Sequence, residues 1–417
     1  MLRSNPALRA TAVVTPLLLG ALAVPSGGLF RGAKFRDLHL YRQYGDALLA
    51  GHLPYRDVFV EYPPGAIPLF AGPSLAPEGA YDAIFKALMT LCCIGAIFCV
   101  CFVLARGGAP GARVWAAALF LALSPIALGP VSLNTYDAWP AFLTAACVAL
   151  LAAGRPRLAL AALGVAAAAK LYAVLLVPAA LVWLWRVRGR RAALESGAAF
   201  AAAAAVLAVP WLALWPGGVW DSLHAQVGRG LHTESLGASV LLAADRLGWY
   251  HAHVVSTAPA VSRDLSGGLP HGLAAATGTV AVLAALVPVA IMLRRPVAPG
   301  LAFAAGVAGF LAFTKVLSPQ YAVWLIPLAP FGGVAAMGLV IAALVLAQTW
   351  YFHYHDLWAV GPQAWTLLAR NLVLVALYAL LLWKTSTPSS SKTSVQSGLF
   401  RSRTSAAAEG SGATRSA

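Results

Sequence analysis

The sequence predicts an all-α, polytopic membrane protein of about 12 transmembrane helices, and three observations carry the membrane part of that reading. Of 417 residues, 60% are hydrophobic and only 10% are charged, whereas a soluble chain needs roughly a quarter of its residues charged to cover its surface. The mean hydropathy is +0.77, and the apolar residues are gathered into stretches near the ~20 residues that cross about 30 Å of hydrocarbon. Lys and Arg outnumber Asp and Glu by 29 to 14, with clusters marking the ends of those stretches. The positive-inside rule accounts for that excess before any nucleic acid need be invoked. The same composition excludes disordered, collagen-like, coiled-coil and disulfide-stapled secreted folds. The five cysteines lie inside apolar runs without zinc or redox spacing and read as small buried hydrophobes.

Taken in order, the first apolar stretch, 11–30, follows Arg3 and Arg9 and is too long for the core of a cleaved signal peptide, although Ala21-Leu22-Ala23 imitates a cleavage site. It reads as a signal anchor. Further stretches occupy 83–105, 113–130, 138–153, 157–185, 193–215, 271–293, 299–316, 320–333, 334–351 and 365–383. Arg106 and Arg113, Arg155 and Arg157, Arg186 to Arg191, Arg294 and Arg295, and Lys384 mark cytoplasmic ends. The run between Arg157 and Arg186 is basic at both ends, so it crosses an even number of times. Two short helices, 157–169 and 171–185, meeting near Lys170 at the outer side, satisfy this; a single tilted helix is the alternative. The chain then has about 12 spans with both termini inside. Two segments, 31–82 and 216–270, fall outside and are too long for simple connectors. Residues 1–384 form one membrane domain, and the Ser, Thr, Ala and Gly-rich stretch 385–417 is a disordered cytoplasmic tail.

In the first outer segment, Leu38, Tyr41, Gly45 and Leu48-Leu49 recur at helical spacing and predict a short amphipathic helix with Asp37 at its start. Asp37 is either an N-cap or a general base whose pKa is raised by partial desolvation. Glu61-Tyr62 precedes Pro63-Pro64, which holds both in extended conformation; a carboxylate and a phenol suit sugar hydroxyls. In the second outer segment Arg229 lies between glycines, and His232, Thr233 and Glu234 precede a helix start. Glu234 there either complements the helix dipole or holds substrate. Lys170 and Lys315 each interrupt an apolar run and are each followed by a proline. An ammonium at bilayer depth costs at least ~2.5 kcal/mol, so it snorkels, pairs or serves a function. His353-Tyr354-His355-Asp356 lacks a shared helix face and further ligands, and its aromatic surroundings read as an interfacial belt, so no metal is assigned.

The first outer loop, with Asp37, Tyr41, Ala47-Leu48-Leu49, Gly51, Pro54-Tyr55 and Glu61-Tyr62-Pro63-Pro64, resembles glycosyltransferase family 87, a branch of the C-type membrane glycosyltransferases. The resemblance continues through Lys170-Leu171-Tyr172, Arg229-Gly230-Leu231, Glu234-Ser235-Leu236, Ser318-Pro319-Gln320-Tyr321 with Trp324, and Arg370-Asn371. It implies an extracytoplasmic active site in the cell (plasma) membrane, a polyprenyl-phosphate sugar donor with mannose as the expected hexose, a lipid or glycan acceptor, and neither nucleotide sugar nor essential metal or other cofactor. It also implies that the catalytic carboxylate follows the first helix, a position Asp37 matches. The mannosyltransferase branch often carries a histidine pair after Ser-Pro-x-Ser-Trp, and this chain does not. His355, His232 or Gln320 would take that place. On this reading Asp37 is the base of an inverting transfer, with Lys170, Arg229 and Lys315 holding the donor phosphate. Glu61, Tyr62, Glu234, Gln320, Tyr321 and His355 are then left to contact sugar or acceptor. A transporter or flippase of a lipid-linked or anionic substrate is the competing reading, resting on the two lysine-plus-proline segments.

Overall fold

The computed structural model describes residues 5–27, 37–77, 79–257, 262–352 and 363–387. In chain order the elements are α1 (Pro6–Gly27), α2 (Asp37–Leu49), α3 (Ile67–Ser74), α4 (Tyr81–Arg106), α5 (Gly111–Leu128), α6 (Val131–Asn134), α7 (Ala138–Ala152), α8 (Pro156–Ala169), α9 (Val177–Arg188) and α10 (Arg190–Leu214). The second outer segment contains α11 (Pro216–Val227), β1 (Leu231–His232), α12 (Leu236–Arg246), β2 (His253–Thr257) and β3 (Ser262–Ser266), and α13 (Gly268–Arg294), α14 (Pro299–Phe313), α15 (Val334–Phe352) and α16 (Gln363–Ser386) follow. Among the described residues, seven helices are long and apolar enough to cross a membrane, counting the 3-10 turn Leu171–Leu176 together with α9. The shorter apolar helices α7, α8, α14 and α15 lie among them, so the chain is an all-α polytopic membrane protein with one small sheet. Residues 388–417, the greater part of the expected tail, lie outside the described residues.

The 157–185 run is a hairpin. Lys170 leaves the helix at φ −151° and ψ 118°, and Arg188 at the far end returns to donate from Nη1 to Gly154 O at 3.3 Å. Other arginines gather at this same end of the bundle and bind the carbonyls that helix termini leave without intrahelical partners. Arg106 Nε donates to Ala152 O at 2.7 Å, and Arg186 Nη1 to Met292 O and Leu293 O at 2.8 and 2.7 Å. The residues that set the topology in sequence therefore also close helix ends.

The 320–333 stretch departs from the expectation of one more apolar helix. It descends as two 3-10 turns, Pro319–Trp324 and Ala329–Gly332, because Pro319, Pro327 and Pro330 remove backbone donors at short intervals and an α-helix cannot form. Arg113 Nη2 donates to Pro330 O at 3.3 Å, and a Cβ on Gly300 would meet the Phe331 ring at 2.7 Å. The stretch thus comes back beside the start of α14, forming a second hairpin with Thr314 to Ser318 at its tip. Irregular backbone at this depth is tolerated only where protein covers it, and Leu325, Leu328 and Ala329 are buried.

The second outer segment carries a three-stranded antiparallel sheet, order β1-β3-β2, with Leu231 opposite Leu265 and His253 opposite Ser266. The sequence reading did not anticipate it. Ser235 caps α12, its Oγ accepting from Ala238 N at 3.2 Å. Just before it, Glu234 Oε2 accepts from Arg370 Nη1 at 2.6 Å, with the two side chains 5% and 3% exposed. Arg370 Nη2 also donates to Glu234 O, and Asn371 Nδ2 donates to the same carbonyl at 3.1 Å. This clamp seats the outer segment on α16.

Removing one member of a buried ion pair leaves the other charge uncompensated and costs about 3–5 kcal/mol. Glu234→Ala and Arg370→Ala should each lower the unfolding temperature in detergent strongly, and the double variant should be much less destabilised than the sum of the two. Additive losses would show that the pair is not the clamp.

Candidate active site

The first outer segment folds onto the tips of the two hairpins. Helix α2 buries Leu38, Tyr41, Tyr44 and Gly45, the face its spacing predicts apart from Leu49, which is exposed. Tyr41 stacks on Phe70 at 4.4 Å between ring centroids and 6° between planes, and Tyr62 and Tyr136 meet Tyr41 edge-on at 5.5 and 5.6 Å. After α2 the chain turns sharply at Tyr55, whose φ is 68°, a region that side chains other than glycine enter at a cost. The turn is held by Asp57 Oδ2, which accepts from Leu53 N at 2.8 Å, and by Tyr55 Oη, which donates to Tyr62 O at 2.6 Å. Gly65 then passes so close to the end of α8 that a Cβ would lie 2.5 Å from the Ala168 carbonyl carbon. Only glycine permits that approach, and it brings Glu61 and Tyr62 against Lys170.

Lys170 occupies a cage. Its Nζ lies 4.4 Å from the ring centroid of Tyr136, 5.4 Å from Tyr62, 5.6 Å from Tyr321 and 5.9 Å from Trp324. It pairs with Asp137 Oδ1 at 3.3 Å, with side chains 13% and 1% exposed. Trp324 Nε1 donates to the same oxygen at 2.7 Å, while Asp137 Oδ2 is buried without a hydrogen-bond partner among the described residues. Trp324 is itself sandwiched between Tyr172 and Tyr321, at 4.0 and 4.4 Å.

Asp37, in the first turn of α2, belongs to the same electrostatic group. Burial raises its carboxyl pKa to about 6; the carboxylates of Asp137 and Glu61 push the same way, and Lys170 opposes them. Burial also raises Glu61, against the pull of Arg229 and Lys170. Gln226 Nε2 donates to Glu61 O at 2.9 Å, so the start of the second outer segment is tied to the first.

The three expected cations are near one another but not equivalent. Lys170 is engaged by Asp137. Lys315 Nζ donates to Val227 O at 2.6 Å, and its own carbonyl accepts from His232 N at 2.9 Å, which pins the Arg229 loop to the tip of the second hairpin. Arg229 is half-buried, and its Nε has no hydrogen-bond partner among the described residues. His232 is buried, with its pKa pushed down to about 4 by burial and by Arg229, so the ring is neutral at pH 7. Gln320 and Tyr321 stand half-buried in the Pro319–Trp324 turn. Glu234 is spent on Arg370 and does not face this group, and His355 lies outside the described residues. Asp137 escaped the sequence reading, although the cost argument that singled out the two lysines applies equally to a lone carboxylate between apolar stretches.

Beside the cage a small apolar recess opens between α4, α5, α7 and the Pro319–Trp324 turn. Ala138 and Val323 line it, adjacent in sequence to Asp137 and Trp324. Among the described residues no group of three or more His, Cys, Asp or Glu is placed to hold a metal ion.

No curated protein matches the chain. Among solved structures it is similar to the oligosaccharyltransferase of Archaeoglobus fulgidus tethered with an acceptor peptide, at 14% identity and a TM-score of 0.45. That match covers 92% of this chain and 56% of the archaeal one, so this chain spans little more than half its length. The sequence profile of glycosyltransferase family 87 matches residues 59–319. This is well over half of the chain and includes the first hairpin, α14 and the tip that follows it, the second outer segment, Glu61 and all three cations, and the protein belongs to glycosyltransferase family 87.

Proposed function

We propose that this membrane glycosyltransferase moves a hexose, mannose being the first candidate, from a polyprenyl-phosphate donor to a lipid or glycan acceptor on the extracytoplasmic side of the plasma membrane. The observation that carries the reading is the half-buried Asp37 carboxyl, poised near pH 6 beside Lys170 and Glu61 where the outer segments meet the hairpin tips. A carboxylate with that proton affinity is ionised at pH 7 yet basic enough to take a proton from an acceptor hydroxyl. As that proton moves to Asp37, the acceptor oxygen bonds to the anomeric carbon. The bond from that carbon to the phosphate oxygen breaks, and polyprenyl phosphate leaves with the electron pair. Single displacement inverts the anomeric centre. Arg229, whose Nε has no partner among the described residues, and Lys315 beside it are the cations for the phosphate. Lys170 adds charge from within its pair, and the apolar recess next to Trp324 is where an isoprenoid chain would lie. Glu61, Tyr62 and Tyr321 line the polar side, where sugar hydroxyls would bind.

Asp37→Asn keeps the shape and most of the helix-start hydrogen bonding but cannot accept the proton, so turnover should fall about 10²-fold or more in a folded variant. Release of polyprenyl phosphate from farnesyl-phosphate mannose in the presence of cell-envelope lipid extract is the assay. The wild-type rate should fall as pH drops through about 6, where Asp37 becomes protonated. Near-normal transfer by Asp37→Asn would move the base to Glu61.

Arg229→Gln should raise the donor KM by about 10-fold while kcat changes little, since the lost contact serves ground and transition states alike. An unchanged KM would remove Arg229 from the phosphate site.

A further inference from the structure

We infer that Asp137 is a positioning residue: its buried carboxylate fixes the Lys170 ammonium in the aromatic cage, and the two charges together set the electric field in which Asp37 works. The inference rests on the reading of Asp37 as the base for its functional meaning, but the geometry stands apart from it. Asp137 is fully buried. One oxygen is shared by Lys170 Nζ at 3.3 Å and Trp324 Nε1 at 2.7 Å. The other oxygen is buried and has no hydrogen-bond partner among the described residues. A carboxylate so placed is costly unless its charge is used, because an apolar or amide side chain would fill the same space without desolvation.

The cage explains why the pair is held so firmly. Tyr136, next in sequence, donates its hydroxyl to Ala169 O at 3.0 Å, closing the end of α8 one residue before Lys170. Trp324 is clamped between Tyr172 and Tyr321, and Tyr172 Oη meets Thr144 Oγ1 of α7 at 2.8 Å. Asp137 therefore connects three pieces of chain that end at this level: the start of α7, the tip of the first hairpin and the turn of the second. If Asp137 were neutral, Lys170 would act on its neighbours as a bare cation.

Among the described residues, few groups face Asp37. From its own helix there is Tyr41, from the loop before the Pro64–Ala66 turn Glu61 and Tyr62, from the α6–α7 junction Asp137, and from the first hairpin Lys170. Asp137 and Lys170 act in opposite senses. Loss of the Asp137 charge removes one carboxylate and unmasks one ammonium, and both changes favour ionised Asp37. Asp37 would then be a weaker base, and the rate of proton abstraction would fall with its proton affinity.

The test reads the proton on Asp37 without turnover. Dicyclohexylcarbodiimide attacks protonated carboxyls in apolar surroundings, and its adducts are located by mass spectrometry after labelling the full-length protein in detergent across pH 5 to 8. In the wild type, Asp37 should label with a midpoint near 6 while Asp137 stays unlabelled, its charge held by Lys170. Labelling of both carboxyls together in the wild type would overturn the inference, with no variant needed. Asp137→Asn should lower the Asp37 midpoint by about one pH unit, Asp137→Glu should leave it unchanged, and Asp137→Asn with Lys170→Met should raise it again from the single variant. A folded Asp137→Asn with the wild-type midpoint, or a double variant no different from the single, would reduce Asp137 to a packing role. If these shifts occur while Asp37→Asn retains transfer, the pair sets the field but Asp37 is not the base. If Asp37→Asn is inactive and the midpoints do not move, the base stands and this inference falls.

Discussion

A helix that stops inside a bilayer must give its last carbonyls to some other part of the protein, since no water is there to take them. Two hairpins of this chain rise on the short apolar helices α8 and α14, and the partners their ends find build the site. The end of α8 is closed by the Tyr136 hydroxyl on Ala169 O, and the tip of the second hairpin by His232 N on Lys315 O. Tyr136 brings Asp137 with it. His232 brings the Arg229 loop. Charged residues that would be expensive in lipid are thus gathered where the backbone was already obliged to be polar.

The two tips share more than this requirement. Residues 171–178 read Leu-Tyr-Ala-Val-Leu-Leu-Val-Pro and residues 320–327 read Gln-Tyr-Ala-Val-Trp-Leu-Ile-Pro, and both fold as 3-10 turns that begin beside an extended residue. The turns meet face to face, Tyr172 stacked on Trp324 at 4.0 Å. The position occupied by Leu175 in the first is Trp324 in the second, and only the indole carries a donor to reach Asp137. A single difference between similar turns thus separates a packing role from a polar one.

Much of this could be read from the residues. Arg157 and Arg186 at the two ends of one apolar run forced an even number of crossings, because charge placement relative to the membrane is a strong term. The spacing of Leu38, Tyr41 and Gly45 marked α2, and the cost of buried ammonium marked Lys170 and Lys315. The remainder depended on partners far apart in sequence. Glu234 and Arg370 are 136 residues apart, and a two-residue β1 has no pattern until β3 pairs with it. Asp137 looked like part of a connector between the stretches 113–130 and 138–153. The 320–333 stretch had the composition of a helix, but its prolines decide the backbone once neighbouring helices cover it.

The arrangement of charge also separates the three carboxylates of the site. Asp137 accepts from Trp324 and pairs with Lys170, and both oppose the upward push that burial gives its carboxyl. Glu61 faces Arg229 as well as Lys170, and its own carbonyl is tied to Gln226. Among the described residues, Asp37 is dominated by burial and by two like charges, and Lys170, which opposes them, is already neutralised in part by Asp137. A carboxylate is a useful base when its charge is poorly compensated, and a useful anchor when it is well compensated. On the proposed mechanism Asp137 anchors, Glu61 orients and Asp37, raised to about 6, accepts the proton. The turn at Tyr55 fits the same division: the cost of a positive φ at a tyrosine is offset by the hydrogen bond to Tyr62 O, which fixes the loop carrying Glu61 independently of α2. Asp37 and Glu61 thus rest on separate elements that meet through the Tyr41–Tyr62 ring contact and at the Lys170 cage.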